Sequence, residues 1–419
     1  MLPQLGSQAY HLGVRLAASF GVAKARKWVQ GRDAISDKLD EITRSRQADQ
    51  KLIWLHAASL GEFEQGAPVL KRIRNEYPEH FLVVSFFSPS GYEARKDYPD
   101  VDAVLYLAED NTKDAKSWVA RLNPQLAIFV KYEFWPAHLN ALLQAAIPTV
   151  LIAGSFRPEQ PFFHWYGGAW RKMLAGFDKI MVQTEADAEL LRGIDLPGPQ
   201  ITVAGDPRID RTIQLANDLF EDDILANFSQ DYRCLLAGSV WPPDVAILLD
   251  LLAELPEDWR LIVAPHDLKE DQIQTWTDEF GAIRYTSLQN GSAQSGRHKV
   301  LMLDTIGILS RAYRYADLAY VGGGFKTGLH NTLEPMAYNL PVIFGPHYHK
   351  FPEAVATVSN GGSFSVENEQ ELKDIFKFLQ ADQNYKTAVS AIRVYKNGAM
   401  DATERTFKSL QPYLQVTQD

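Results

Sequence analysis

Short apolar runs alternate with amphipathic stretches along the chain from Lys51 onward. Continuous apolar strands separated by helical spacing are typical of a parallel sheet that is covered on both faces. The first series of predicted strands is Leu52–His56, Phe81–Phe87, Ala103–Leu107, Leu126–Val130, Thr149–Ala153, Lys179–Gln183 and Ile201–Ala204. The second series is Cys234–Ala237, Arg260–Ala264, Ala282–Thr286, Val300–Leu303, Leu318–Val321, Val342–Phe344 and Ser363–Val366.

Two such series predict an α/β protein with two doubly wound, parallel-sheet domains. Hydroxyl residues followed three positions later by an acid, as in Ser59-x-x-Glu62, mark helix starts after several strands and support this rhythm. We expect the carboxyl ends of the strands to face a central cleft, the usual ligand position in open α/β sheets. The polar stretch between the series is predicted to be a linker that is partly helical.

The first thirty-two residues are basic, whereas the whole chain of 419 residues has a formal charge of −10. They contain no acidic residue, and apolar positions such as Leu12, Leu16 and Phe20 interleave with the cations. No stretch reaches the ~18–20 apolar residues that a spanning helix needs, and Arg15 interrupts the apolar core that a signal peptide would need. The pattern favours a basic amphipathic helix on an anionic membrane surface. The alternative is a helix that docks on the protein itself.

Composition narrows the possible partners and compartments. The single cysteine, Cys234, excludes an intrachain disulfide and a cysteine-cluster metal site, and it indicates a reducing compartment. The negative charge disfavours nucleic acid as a partner. No histidine or acidic spacing typical of a metal site is present, so we expect no metal cofactor.

A glycine turn follows the predicted strand Leu318–Val321, and His330-Asn331-x-x-Glu334 comes after it. Gly323 would allow backbone N–H groups to approach a phosphate, and a helix opened by Asn331 would favour an anion. The Glu334 carboxylate could accept hydrogen bonds from ribose hydroxyls. The alternative is a local capping box that needs no ligand.

Glu62 follows a strand, a serine and a glycine, at the expected cleft edge. A carboxylate at a helix N-terminus is expected to stay ionised at neutral pH and could take a proton from an incoming hydroxyl. The alternative is again a capping box.

Arg208, after the last strand of the first series, could hold a phosphate or carboxylate, or could form an ion pair with Asp206 or Asp210. The nine tryptophans include Trp241, which we interpret as core.

Together these residues resemble the 3-deoxy-D-manno-octulosonic acid (Kdo) transferases, which have the GT-B fold of two facing Rossmann-like domains. The matching motifs cover almost the whole chain. They are His-Ala-Ala-Ser-Leu-Gly-Glu at 56–62, Glu133-Phe-Trp-Pro136, Gly238-Ser239, Ala264-Pro-His266, Asp304-Thr-Ile-Gly307, the glycines at 322–324, His330-Asn331-x-x-Glu334 and Phe344-Gly-Pro-His347.

The resemblance implies Kdo transfer from CMP-Kdo to the lipid A precursor at the cytoplasmic face of the inner membrane, without a metal. It implies that Glu62 is the general base and that Arg208 stabilises charge in the transition state. The donor-binding residues that it implies are Ser239, Pro265, His266, Thr305, Ile306, Gly307, Gly323, His330, Asn331, Thr332, Leu333 and Glu334. The implied domains are a membrane-associating segment at 1–45, an acceptor domain at 46–212, a linker at 213–230, a CMP-sugar domain at 231–395 and a C-terminal helix at 396–419 that crosses back to the acceptor domain.

Two positions depart from the family pattern. Lys131 replaces an acid to which the family assigns a supporting catalytic role, so that role is open here. His266 stands where the family has arginine, which exchanges a permanent cation for a titratable one. Two other functions remain open from the sequence. One is transfer from a UDP-sugar by the same architecture, and the other is non-catalytic binding of a lipid or nucleotide.

Overall fold

The computed structural model describes residues 13–17, 19–20, 22–194, 196–291, 298–326 and 328–415. These residues form two compact units. The first unit comprises those up to Arg208 and from Asp401 onward, and the second runs from Ile209 to Met400. Each unit contains one sheet of seven parallel strands, so the predicted α/β fold class with two parallel-sheet domains is confirmed.

The sheet of the first unit has the strand order β3-β2-β1-β4-β5-β6-β7. Its strands are β1 Leu52–Ala57, β2 Phe81–Phe86, β3 Ala103–Tyr106, β4 Leu126–Val130, β5 Thr149–Gly154, β6 Lys179–Val182 and β7 Gln200–Val203. Its helices are α1 Ala23–Asp33, α2 Ile35–Ser45, α3 Leu60–Glu76, α4 Pro89–Arg95, α5 Thr112–Leu122, α6 Pro136–Gln144, α7 Gly168–Leu174 and α8 Glu185–Arg192.

The sheet of the second unit has the order β10-β11-β9-β8-β12-β13-β14. Its strands are β8 Arg233–Val240, β9 Trp259–Pro265, β10 Ile283–Arg284, β11 Val300–Met302, β12 Leu318–Val321, β13 Val342–Phe344 and β14 Ser363–Ser365. Its helices are α9 Arg208–Asn217, which begins at the unit boundary, α10 Asp223–Ser229, α11 Pro242–Ala253, α12 Glu270–Glu279, α13 Tyr285–Gln289, α14 Leu309–Ala312, α15 Leu333–Ala337, α16 Pro352–Ser359, α17 Glu369–Gln380 and α18 Asp382–Ala399. The helix α19, Ala402–Leu414, belongs to the first unit.

The strands are apolar at successive positions because both faces of each sheet are buried. In β4, Ala127 and Phe129 pack in one core cluster, whereas Ile128 and Val130 pack in the other. Successive side chains of a strand point to opposite faces, so two covered faces require apolar residues throughout. This is the pattern from which the parallel sheets were predicted.

The chain crosses between the units at both ends of the second unit. The stretch predicted as a linker at 213–230 lies in the second unit, where Leu225 and Phe228 are buried in its core. After Asp401, which has a left-handed backbone (φ 65°), α19 packs on the first unit with Phe407 and Leu410 in its core. Residues 416–419 of the predicted C-terminal helix lie outside the described residues.

One predicted strand is mostly wrong. Of Ala282–Thr286 only Ile283 and Arg284 form a strand, and α13 begins at Tyr285. The physical reason is a hydrogen bond from the Thr286 backbone N–H to the Asp304 carboxylate at 2.9 Å. This bond takes the N–H group that a longer strand would use for pairing.

The basic N-terminal region is partly docked and partly exposed. The Arg32 guanidinium is buried over the Trp28 ring, 3.6 Å from its centroid, and donates to the Phe87 carbonyl. By contrast, the side chains of Leu16 and Phe20 are 53% and 86% exposed. Leu12 lies outside the described residues. Across the described ranges, every helix is too short or too polar to span a bilayer.

Candidate active site

Each sheet has a point beside its first strand where the strand order reverses, and several candidate residues lie at those points. The reversal lies between β1 and β4 in the first unit and between β8 and β12 in the second. Connections leave toward opposite faces on either side of such a point, so the carboxyl ends of the two strands remain uncovered and available to a ligand. Glu62 follows β1 and Lys131 follows β4, whereas Ser239 is the penultimate residue of β8 and the glycine turn follows β12.

Glu62 sits in the first turn of α3, where local hydrogen bonds hold one of its oxygens. The Ser59 backbone N–H donates to Glu62 Oε2 at 3.1 Å, and the Ser59 hydroxyl donates to the same oxygen at 3.4 Å. The capping alternative is therefore present in the structure. Both hydrogen bonds end on Oε2, and the side chain is buried with 8% of its surface exposed.

A second buried carboxyl group, Glu133, lies beside Glu62. Burial first, and then the charge of Glu133, raise the pKa of Glu62 to about 7, while His56 and Lys131 act in the opposite direction. Burial also raises the pKa of Glu133 to about 7, although hydrogen bonds with Trp135 and Glu62 oppose the rise. A pKa of about 7 leaves Glu62 only partly ionised at neutral pH, whereas the helix N-terminus alone would predict full ionisation. Two neighbouring buried carboxyl groups titrate as a pair, in which one proton is easily retained.

His56 completes this cluster from within β1. Its Nε2 atom is 3.5 Å from Glu133 Oε2, and its Nδ1 atom faces the Ser85 carbonyl oxygen at 3.1 Å. Burial, and then the nearby His138, lower the pKa of His56 to about 3, so the imidazole is neutral at physiological pH. Glu133 and His56 were missed as functional candidates. A carboxylate just beyond β4, beside the strand reversal, was the signal that could have identified Glu133.

Lys131 has a backbone conformation that is uncommon for a residue with a side chain. Its φ is 67°, and its N–H donates to the Ile152 carbonyl at 2.8 Å. Its ammonium group lies 5.1 Å from the centroid of the Tyr132 ring. Such backbone strain persists where the surrounding structure fixes it, and it clusters at functional sites. The Lys131 ammonium group lowers the pKa of the Glu62 carboxyl group.

Arg208 is engaged by Asp206. Its Nε donates to both carboxylate oxygens of Asp206 at 3.2 and 3.0 Å, and Gln65 donates to the same carboxylate at 2.9 Å. Burial opposes ionisation of Asp206, but Arg208 and Gln65 hold its pKa below the ordinary value. The ion-pair alternative is therefore what the structure contains, and the predicted role in charge stabilisation stays a prediction.

In the second unit, Asp244 anchors the glycine turn to the end of β8. Its carboxylate accepts hydrogen bonds from the backbone N–H groups of Trp241 at 2.8 Å and Gly323 at 3.2 Å, and from the Tyr320 hydroxyl at 2.7 Å. Gly323 has φ 90°, and a Cβ atom there would lie 2.5 Å from the Gly328 carbonyl oxygen. Ser239 also has a positive φ, 52°. The turn is therefore fixed in a shape that only glycine accepts at position 323.

A stack of three rings stands beside this turn. Trp241 stacks on His266 with 4.3 Å between ring centroids, and His266 lies 4.3 Å from His330. The Trp241 Nε1–H donates to His330 Nε2 at 2.6 Å. Burial, and then His266, lower the pKa of His330 to about 4. The interpretation of Trp241 as a core residue is corrected, because its half-buried ring joins two predicted donor-binding histidines.

The segment after the turn differs from the predicted helix opened by Asn331. The helix α15 begins at Leu333 and spans five residues, and Asn339 in a left-handed conformation (φ 63°) follows its end. The Asn331 amide donates to Glu334 Oε1 at 3.1 Å, and Asn331 Oδ1 accepts from the Leu333 N–H at 3.2 Å. Burial raises the pKa of Glu334. These hydrogen bonds are local, but Thr332 is the N-cap residue and makes no side-chain capping hydrogen bond, so the alternative of a capping box opened by Asn331 is not what the structure contains. Thr332 is fully buried.

The other predicted donor-binding residues lie at the same edge of the sheet. Pro265 ends β9, and Asp304 follows β11. Asp304 is buried and accepts from Arg284 Nε at 2.7 Å, so it anchors the loop. Thr305 is half-buried, Ile306 is 85% exposed, and Gly307 has φ 92°. Within the described ranges, no group of three or more His, Cys, Asp or Glu residues is arranged to hold a metal ion.

The chain is similar in sequence to Kdo transferases. Residues 33–211 match the family model described as 3-deoxy-D-manno-octulosonic-acid transferase (kdotransferase). The 3-deoxy-D-manno-octulosonic acid transferase of Chlamydia trachomatis serovar A is 27% identical over 369 residues, which are 86% of this chain and 85% of that protein. The transferase of the same name from Aquifex aeolicus is 27% identical over 76% of this chain and 83% of its own length.

Solved structures agree on the fold. The UDP-GlcNAc 2-epimerase from Neisseria meningitidis bound to UDP-GlcNAc superposes with a TM-score of 0.62 at 15% identity, covering 87% of this chain and 100% of that one. At this identity the likeness shows the architecture alone. The sequence matches extend along most of the chain and include the part that carries Glu62. The resemblance predicted from the motifs is therefore confirmed, and this chain is a glycosyltransferase homologous to the Kdo transferases.

Proposed function

We propose that this protein transfers Kdo from CMP-Kdo to the lipid A precursor, with Glu62 as the general base. The family relationship supports the Kdo donor. The observation that carries the catalytic proposal is the buried Glu62–Glu133 pair, with pKa values of about 7, at the strand reversal of the first sheet. A general base is most effective when its pKa lies near the working pH, because it is then both available and basic.

In the proposed reaction, the Glu62 carboxylate takes the proton of the acceptor hydroxyl. The acceptor oxygen forms a bond to the anomeric carbon of Kdo as the bond from that carbon to the CMP phosphate breaks. The electron pair leaves with the phosphate. The fixed turn around Gly323 and the polar atoms of Ser239, His266 and His330 would hold the nucleotide in the second unit.

The N-terminal region supports a membrane-associated protein. Leu16, Phe20 and Val22 are exposed, and the basic residues Arg26 and Lys27 are exposed close to them. Apolar side chains flanked by cations bind anionic bilayer surfaces. We propose that this segment holds the protein at the cytoplasmic face of the inner membrane, where a lipid acceptor would be available.

Replacing Glu62 tests the catalytic proposal. We expect Glu62→Gln to lower the turnover of CMP-Kdo with the lipid A precursor by about 10²–10⁴-fold, because the amide cannot accept the hydroxyl proton. Product mass measures the transfer, and calorimetry with CMP should give the same affinity as the unaltered protein. The matched control is Glu64→Gln on the same helix, whose carboxylate pairs with Arg95 at 2.8 Å and which should keep its turnover.

Unchanged turnover in Glu62→Gln would contradict the assignment of the base. In the same assay, UDP-hexoses replace CMP-Kdo in one arm, and product from them alone would favour the UDP-sugar alternative. Binding of CMP without any product would favour the non-catalytic alternative. A third arm contains EDTA and tests the expectation that no divalent cation is needed.

The raised pKa values also predict a pH-dependent stability. Folding raises the pKa of Glu62 and of Glu133 from 4.5 to about 7, so the folded state binds these protons more tightly than the unfolded state. Their contribution to the free energy of unfolding is full below the unfolded pKa and is lost as the pH rises through about 7. Glu62→Gln should therefore be more stable than the unaltered protein at pH 8, by about 1–3 kcal/mol, and the gain should shrink at pH 5. Urea unfolding at both pH values measures this difference, and an equal effect at both would contradict it.

Gly323→Ala tests the donor site. The new Cβ atom would lie 2.5 Å from the Gly328 carbonyl oxygen, and φ 90° is unfavourable for alanine. We expect CMP affinity to fall at least about fivefold, from roughly 1–3 kcal/mol of strain in the turn. Gly398→Ala is the control, because nothing lies within 4 Å of its Cβ position. Equal CMP affinity in both variants would place the nucleotide elsewhere.

Vesicle flotation tests the membrane proposal. Leu16→Ser with Phe20→Ser should reduce binding to vesicles that contain anionic lipid, and added salt should weaken binding of the unaltered protein. Leu219→Ser is the control, because Leu219 is 96% exposed in the second unit. Equal flotation of both variants would contradict a membrane contact at this segment.

A further inference from the structure

The hydrogen bonds of His56 determine which of its ring nitrogens carries the proton. Its Nδ1 atom lies 3.1 Å from the Ser85 carbonyl oxygen and 2.9 Å from the Ser85 hydroxyl oxygen. A carbonyl oxygen only accepts hydrogen bonds, so a lone pair on Nδ1 would face another lone pair. The favourable arrangement therefore has the proton on Nδ1, and a neutral imidazole then has an acceptor at Nε2.

The acceptor at Nε2 faces Glu133. The distance from His56 Nε2 to Glu133 Oε2 is 3.5 Å, and both side chains are buried. An ionised carboxylate here would set an anionic oxygen against the nitrogen lone pair, whereas a protonated carboxyl group can donate to it. The Trp135 Nε1–H donates to the same Oε2 atom at 2.8 Å, which a hydroxyl oxygen can accept while it donates its own proton.

We infer that Glu133 holds the proton of the carboxyl pair, directed at His56 Nε2, and so keeps Glu62 as the ionised member. Glu133 then acts as a positioning residue for the proposed base. This inference rests on the proposed function only for its effect on transfer, because the position of the proton is a property of the free protein.

The charges around the pair favour the same arrangement. Lys131 stabilises an ionised Glu62. Burial first, and then His138, disfavour a charge on His56, while Glu62 acts in the opposite direction, and the imidazole stays a neutral acceptor. The carboxylate of Glu62 is also stabilised by the Ser59 N–H at 3.1 Å. A charge on Glu133 would oppose this arrangement, because it would raise the pKa of Glu62, so the negative charge lies on Glu62 only while Glu133 keeps its proton.

The proton count of the reaction follows from this arrangement. Before transfer the pair has one proton, on Glu133, and one negative charge, on Glu62. Glu62 then receives the proton of the acceptor hydroxyl, so the pair becomes neutral as the CMP phosphate leaves with the electron pair. Release of one proton to solvent restores the starting state.

Nitrogen-15 NMR of the histidine side chains in the free, full-length protein tests the position of the proton. We expect the His56 ring to be neutral from pH 5 to pH 8, with hydrogen on Nδ1 and none on Nε2. The resonance is identified by its shift in Glu133→Gln. Hydrogen on Nε2 would overturn the inference, because Glu133 would then have to accept that hydrogen bond as a carboxylate.

Glu133→Gln tests the effect on catalysis. Both contacts of the carboxyl group end on Oε2, whereas an amide places either a donor nitrogen or an acceptor oxygen there. Glu133→Gln therefore keeps only one of the two contacts, and we expect a lower midpoint of thermal unfolding than in the unaltered protein. We expect kcat at its plateau to stay within about tenfold. Glutamine replaces a carboxyl group that the inference holds neutral, so the charge next to Glu62 does not change and the acidic limb of the pH–rate profile should stay at the same pH.

Glu133→Leu provides the contrast, because leucine can neither donate to His56 nor accept from Trp135. We expect it to lower the unfolding midpoint and the plateau of kcat. An acidic limb that moves to lower pH in Glu133→Gln would overturn the inference, because it would show that Glu133 carries the charge that raises the pKa of Glu62. If the unaltered protein transfers no Kdo, the proposed function fails, whereas the NMR result still decides where the proton lies.

Discussion

Sheets buried on both faces leave few places for polar chemistry, and this constraint governs both units. Inside each sheet, side chains such as Phe129 and Val130 must be apolar because helices cover them. The connections diverge only where the strand order reverses, beside β1 and β4 and beside β8 and β12. The carboxyl pair of the first unit and the glycine turn with its ring stack in the second both lie at such reversals. One topological rule thus places a candidate base and a candidate nucleotide site in two separately folded units.

The residues at these points are held at an energetic cost. Two buried carboxyl groups with raised pKa values destabilise the folded protein at neutral pH relative to neutral side chains. Lys131 and Ser239 have left-handed backbones without being glycine. Strain of this kind concentrates where geometry has to be fixed for binding or reaction. Lys131 and Ser239 lie next to the strand reversals of the two sheets, and their backbone strain supports a functional role for both residues.

The fold could be predicted from the sequence largely because both sheets are covered on two faces. The predicted bounds of β4, β12 and β13 agree with those in the structure, because each of these strands is a run of buried residues. The prediction failed at Ala282–Thr286, where the Asp304 side chain, eighteen residues later in the chain, takes the Thr286 N–H and a helix begins. A contact between residues that are far apart in the chain leaves no pattern in the local sequence from which it could be predicted. The roles of Glu133 and Trp241 were missed for the same reason, because each depends on a partner, Glu62 or His330, from another part of the chain.

The sequence left both local capping and function open at Glu62 and at Glu334, and the structure contains the capping hydrogen bonds at Glu62. The two interpretations are compatible at Glu62. The Ser59 N–H fixes Oε2, and a fixed oxygen determines the direction of the whole carboxyl group. A base has to be oriented before its substrate arrives, because ordering it during the reaction would add to the barrier. A hydrogen bond that needs no ligand can therefore still serve the proposed reaction, by holding the Glu62 carboxyl group in position beside Glu133.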